Sequence, residues 1–457
     1  MKPSCASGID AAIWGARMSD LFRIEVEQWL HGAAGAEHDR RTLAAIRIQV
    51  GGLCVTRVED LAAKTVRGSV HLSAYRLGYW LAEHWWRLRW EPDIGGRDTD
   101  WLMSHDLAAA GQGFIWPPLT FASDGETVLL TMRARPHGDT SSPIRYLETL
   151  DATVPATAFE RGVDTFIASL IGRLRNLGLE GTDLERLWAE VTRERSETEL
   201  GQARRLEALL GIDAGEAEEG LLDRLADYSQ NLGSEAVAEI AAAARDDFLQ
   251  ALGAAEAKRD RATTLVDLAD RDALSSLSLL HGAHTPPPWQ LGEALAERAR
   301  HLWHIGEGPL TSRRLAEIAA VPVDFLTQDP GETIDTCMDG IGYRKPRDGT
   351  GFRAMIRSPH PSNRRFHFAR LLADDILAGS DESLLPVTRA KTARQKLQRA
   401  FAAELLCPFA ALQEMLPPAP DDDDVETAAR HFDVSPLLVR TLLVNKGVLP
   451  RERISEG

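Results

Sequence analysis

Four cysteines in 457 residues, Cys5, Cys54, Cys337 and Cys407, with no C-x-x-C pair among them, are too few and too scattered for a disulfide framework or a cysteine-rich zinc site. They suit incidental thiols in a reducing compartment. Also missing is any apolar run near the roughly 20 residues that a bilayer span needs. Nothing after Met1-Lys2-Pro3-Ser4 forms an apolar core before a small-residue cleavage site, so no secretory signal is expected and a cytoplasmic location is. Positive charge is scarce. The 52 Lys and Arg face 68 Asp and Glu, and the net charge of −16 disfavours whole-surface binding to nucleic acid or anionic membrane, though not a local basic site. There is no Walker motif and no fixed-period repeat, and Gly111-Gln112-Gly113 is too short for a phosphate loop. Ser104, His105 and Asp106 are adjacent, so on a regular element they point apart and make no triad.

What is present, 44% hydrophobic and 26% charged residues, is the composition of a soluble globular protein, and the length implies two or three domains. The pattern predicts an α+β chain, mostly α, in three parts. Residues 1–150 form a Trp-rich mixed α/β domain. Ala44 to Val58 reads as a hairpin about Gly51-Gly52, Ser73 to Trp90 as one helix with two apolar stripes, and Trp116 to Ala134 as two strands joined at Asp124-Gly125. Residues 151–288 form a helical bundle or connector. Its segments Asp183 to Glu197, Leu200 to Leu210 and Ser234 to Leu252 are broken at Gly178 to Gly181, Gly211 and Gly233. His284-Thr285-Pro286-Pro287-Pro288 reads as an extended linker.

Residues 289–457 form the third part. Leu291 to Trp303 and Pro309 to Ile318 read as helices, and Val321 to Leu326 as extended. Ile341 to Ile356 reads as a hairpin about Asp348-Gly349. Helices follow from Arg365, from about Ala390 to Leu406, and from Asp424 onward. Three segments stand out: Arg365-Phe366-His367-Phe368-Ala369-Arg370-Leu371-Leu372-Ala373-Asp374, Phe401-Ala402-Ala403-Glu404-Leu405-Leu406-Cys407-Pro408, and Ala428 to Ser435 followed by Arg440-Thr441-Leu442.

In that order and at those separations they resemble the R-F-x-x-A before H-E-x-x-H, the F-A-A-x-L-L-M-P and the closing A-x-x-F-x-V-S…R-x-L of the ImmA/IrrE family of bacterial zinc peptidase-like proteins. The resemblance implies a zincin-like domain with a small sheet. In H-E-x-x-H the two His hold zinc on one helical face and the Glu activates water. Here Arg370 and Asp374 stand at the His positions and Leu371 at the Glu position, and the third-ligand position falls near Leu397. No catalytic residue, metal or cofactor is therefore expected. Arg370 and Asp374, four apart, are expected to pair where zinc would have joined two imidazoles. Asp374-Asp375 and Asp381-Glu382 read as a solvated helix end and loop. His360, His367 and His431 share the domain but no common face.

Arg389, Lys391, Arg394, Lys396 and Arg399, with Arg365 nearby, form a basic run that reads either as an anion or partner site or as a solvated helix face. Asp423 and Glu426 have capping-box spacing. Val425 to Leu449 has a helix-turn-helix outline about Asp433-Val434-Ser435-Pro436, yet its second helix carries only Arg440 as a long basic side chain, too few for typical DNA readout. Trp85, Trp86, Arg87, Arg89 and Trp90 offer an aromatic ligand or partner surface, although aromatics at helical spacing more often form a core.

The leading expectation is a catalytically inactive peptidase-like protein acting as a regulatory, scaffold or protein-binding component, with a protein partner such as a regulator, toxin, nuclease or defence subunit. The resemblance suggests a bacterial stress-response or phage-defence setting. The rivals are a nucleic-acid-binding regulator and an enzyme with an unrecognised N-terminal site.

Overall fold

The computed structural model describes residues 21–32, 35–93, 95, 97–136, 142–276, 286–328, 331, 337–344 and 351–454. It is α+β and mostly helical, with four small antiparallel sheets among the described residues. The three-part division gives way to two compact units, Met1–Glu218 and Glu219–Gly457.

In the first unit, β1 (Phe22–Trp29) pairs with β2 (Leu43–Val50), whose other edge takes β3 (Leu53–Cys54) and, after β4 (Val58–Asp60) and β5 (Thr65–Arg67), β6 (Val70–Ser73). The β2–β3 turn at Gly51-Gly52 has positive φ at both glycines, as the sequence indicated. β7 (Leu119–Ser123) and β8 (Thr127–Met132) form the second expected hairpin. β9 (Ile144–Tyr146) pairs with β4, and β10 (Leu150–Pro155) with β8.

The helices are α1 (Glu37–Arg41), α2 (Ala74–Glu83), α3 (Trp85–Trp90), α4 (Thr99–His105), α5 (Ala156–Asn176), α6 (Asp183–Ser196) and α7 (Thr198–Leu209). The single helix expected from Ser73 to Trp90 is two, broken at His84, and Ser73 closes β6 while capping α2. Helices α5 to α7, assigned by sequence to a separate bundle, share one core with Trp85 and Phe121 through Phe159, Ile167, Leu170 and Trp188.

The second unit opens with α8 (Leu221–Leu232), α9 (Ser234–Ala244) and α10 (Phe248–Ala257). The long helix expected from Ser234 is interrupted at Arg245, which has a positive φ. β11 (Thr264–Val266), α11 (Arg271–Ser275), α12 (Pro288–Leu302), α13 (Ser312–Ile318) and α14 (Val323–Thr327) follow. Of the proline linker, His284 and Thr285 lie outside the described residues, whereas Pro287 caps α12 and Pro288 begins it, where a missing N–H costs nothing. The segment expected to be extended is the short helix α14, started by Pro322.

β12 (Met338–Arg344) and β13 (Phe352–Ile356) pair antiparallel as expected; Asp348 and Gly349 lie outside the described residues. Then come α15 (Pro361–Leu377), β14 (Leu384–Thr388), α16 (Ala393–Leu406), α17 (Phe409–Met415), α18 (Asp422–Phe432) and α19 (Pro436–Asn445). The sheet order is β11-β13-β12-β14. Neither edge strand was anticipated. β11 comes from the middle of the chain, so the sequence N-terminal to the prolines helps to build this sheet. α12 packs closely on α16, because a Cβ at Gly292 would stand only 2.5 Å from the Leu397 carbonyl oxygen. No helix among the described residues is long and apolar enough to cross a membrane.

Candidate functional site

Helix α15 is buried on most sides, and most of its charged side chains point inward. Arg364 donates to the carbonyls of Phe325 (2.7 Å), Ile356 (3.0 Å) and Ser358 (3.2 Å). Arg365, offered by the sequence as an anion contact, is fully buried and donates to the carbonyls of Leu310 and Asp433 while pairing with the Asp433 carboxylate. Burial depresses its pKa against the pull of Asp433. These arginines tie loops to the helix and leave no face for a ligand. Asp375, expected in solvent, is buried between Arg271 (2.9 Å) and Arg344 (2.8 Å).

Arg370 and Asp374 are each 3% exposed, yet they do not form the expected pair. Arg370 Nη2 donates to the Thr388 carbonyl and to Gln395 Oε1, both at 2.6 Å. Its nearest acid, Asp339, is 4.0 Å away. Burial holds its pKa down to about 9, with Arg399 adding repulsion, and it stays charged at neutral pH. Asp374 is held by Arg394 through two bonds, Nε to Oδ1 at 2.7 Å and Nη2 to Oδ2 at 2.8 Å. Burial acts to lower the Arg394 pKa, but Asp374, Glu239 and Glu382 reverse the shift. A planar fork reaching across from α16 matches a carboxylate better than a neighbour one turn along the same helix.

Leu371 is fully buried, and Leu397 is half-buried with its backbone against α12. The α16 residue that meets Arg370 is Gln395, two positions before the expected Leu397. Gln395 also accepts from the Thr388 N–H (3.0 Å) and donates to the Pro386 carbonyl (3.1 Å), where Gln398 donates as well (3.2 Å). The free edge of β14 is thus bonded by side chains.

A second ring of charge surrounds this core. Glu239 of α9 accepts from the Thr392 hydroxyl at 2.7 Å, and its burial raises its pKa. Glu382, also raised by burial, lies 3.6 Å from Arg394. Glu382, read from the sequence as part of a solvated loop, is buried, and sequence reading missed Glu239, Asp339 and Gln395. The one available signal was the uncommon density of charge in the apolar segments around 370 and 395; partners this far apart in the chain leave no spacing rule.

The basic run is dispersed. Arg394 points inward, Arg399 donates to the Ala390 carbonyl (2.8 Å), and Arg389 is exposed but faces Asp339 (3.3 Å). Lys391 is exposed and Lys396 half-buried, and both have partners. On α19, Arg440 pairs with Asp422 (3.1 Å). The capping box joins Asp421 to Asp424, two residues before the expected Asp423 and Glu426. His367 is largely buried, with its pKa lowered to about 4 by desolvation and then by Arg370, whereas His360 and His431 are exposed. No three His, Cys, Asp or Glu side chains among the described residues assemble as a metal-binding group.

The cluster that offered either an aromatic surface or a core is largely interior, with Trp85, Trp86 and Arg87 buried and Arg89 and Trp90 half-buried. Trp85 stacks on Phe159 at 6.0 Å and meets Trp188 edge-on at 5.4 Å. Trp86 donates to Glu194 (2.9 Å), and Arg87 is buried between Glu91 (2.6 Å) and Asp100 (2.7 Å). Arg89 pairs with Glu160 and lies 4.0 Å from the Trp90 ring centroid. Helical spacing on both stripes put these rings in the core, where a large aromatic buries most area.

No known protein family, curated protein or solved structure matches this chain.

Proposed function

We propose that the second unit carries a catalytically inactive ImmA/IrrE-like peptidase domain, working as a regulatory or scaffold component that binds a protein partner in a bacterial stress-response or phage-defence setting. One observation carries this reading: the helix with the family's motif frame is joined to the helix with its F-A-A segment by Asp374–Arg394 and Arg370–Gln395, where the family would use a metal.

The residues at the frame positions do not fit zinc. A guanidinium is no ligand, Leu371 is no base, and the Asp374 carboxylate is already engaged through both oxygens. A clamp made of side chains joins the two helices. The nucleic-acid alternative is weakened by the internal pairing of Arg394, Arg399 and Arg440.

The test is to incubate the purified chain with zinc and a repressor-type substrate, and in parallel to co-express it with the products of adjacent genes. Intact substrate and a fixed-ratio complex with one such product support the proposal. Chelator-sensitive cleavage overturns it, and salt-dependent DNA retardation without a protein partner favours the alternative.

A further inference from the structure

We infer that α9 is a releasable strap, pinned across β14 and the start of α16 by a few specific polar contacts and bounded by two backbone joints. This stands on local geometry and does not depend on the peptidase-like reading. The helix is SEAVAEIAAAA, in which Val237 and Ile240 are the only large apolar side chains. Four of its buried residues are alanines, each of which brings less area than Val237 or Ile240.

Its fixings are specific. The Glu382 carboxylate accepts from the N–H groups of Glu235 (3.0 Å) and Ala236 (2.9 Å), capping the helix from a distant loop. Ser383 N–H donates to the Leu232 carbonyl at 3.1 Å. Midway along, Glu239 takes the Thr392 hydroxyl, the N-cap of α16.

The joints lie at either end. Gly233 has φ +103°, which favours glycine, and a Cβ there would stand 2.6 Å from the Glu382 carboxyl carbon and displace that carboxylate from its cap. Arg245 has φ +39°, which is unfavourable for a side-chain-bearing residue. Arg394 connects strap and clamp, since it grips Asp374 and also faces the Glu382 carboxylate that caps the strap. Lifting α9 would therefore loosen α16 from α15, which gives a partner acting on the helical segment a direct route to the buried network.

Amide exchange on the full chain tests this, comparing the native protein with Glu382→Ala and the milder Glu382→Gln. Removing charge-assisted bonds to two N–H groups should speed exchange in residues 234–244 and 384–388 by roughly tenfold or more, with Glu382→Gln intermediate. Exchange in α18 and α19 should stay unchanged, and trypsin should cut after Arg245 faster. The inference is overturned if α9 exchanges in step with α18 and α19 in the native protein, or if neither variant changes its exchange.

Discussion

The two units arrange their buried charge differently. In the first, Trp80, Trp85, Trp101, Trp116, Phe121 and Phe159 lie inside, and its buried ions are spread over separate elements, as in Arg87 with Glu91 and Asp100, Asp39 with Arg76, and Arg145 with Glu59. The second also buries rings, Trp303, Phe352, Phe368, Phe401 and Phe432, and adds Arg364, Arg365, Arg370, Asp374 and Asp375 on one helix. Ring packing prefers certain geometries but leaves no charge to be matched. A buried ion network specifies which helix meets which, since every unmatched charge is costly. The second unit thus gains a fixed arrangement of α15, α16 and β14, and it is correspondingly vulnerable to loss of single charges.

The largest expected effect separates the two kinds of core. Asp374→Ala, which strands Arg394, should cost about 3–5 kcal/mol, seen as faster exchange in α15 and α16. Trp85→Ala should cost a similar amount, about 3–5 kcal/mol, confined to the first unit. Denaturant melting with exchange readout locates each loss. Arg370→Met should cost less, about 1–3 kcal/mol, because it deprives only the Thr388 carbonyl and Gln395 of a donor.

Acid should sharpen the contrast. Burial lowers His84 to about 4 and His105 to about 3 in the first unit, and His367 to about 4 in the second. A depressed histidine stabilises above its unfolded pKa of 6.5. That contribution is lost as pH falls toward the folded value, at up to about 1.4 kcal/mol per pH unit for each residue. In the second unit, Glu239 and Glu382 act oppositely. Their raised pKa values give stability that is complete below the unfolded value of 4.5 and lost as pH rises through the folded one. Glu83 and Asp106, also raised, oppose the histidines in the first unit from less buried positions. The first unit should therefore lose stability more steeply between pH 6.5 and 4, and His105→Asn should flatten its curve. The smallest effect is expected at the surface: Arg389→Ala, on an exposed side chain, should change stability by less than about 0.5 kcal/mol.

Legibility followed the range of the forces. Both hairpins of the first unit were readable because alternation and turn residues act within a few positions, and the helices at 183 and 198 because their period is local. β14 was missed: Leu384-Leu385-Pro386-Val387-Thr388 is short and contains a proline, which a strand edge bonded by side chains tolerates. Val321 to Leu326 was misread because β-branched residues flank a proline that in fact starts a helix. At the site, the frame at 370 and 374 was visible, but its partners were not. The (i, i+4) rule suggested the wrong pair, because it cannot foresee an arginine arriving from another helix.

A double-mutant cycle on Asp374 and Arg394, using Asp374→Ala, Arg394→Ala and the double variant, measures the clamp itself. The double variant should be more stable, by roughly 2 kcal/mol or more, than the sum of the single losses implies, with or without zinc in the buffer. Additive losses, or a coupling that appears only with added zinc, would contradict a side-chain clamp as the bond between these two helices.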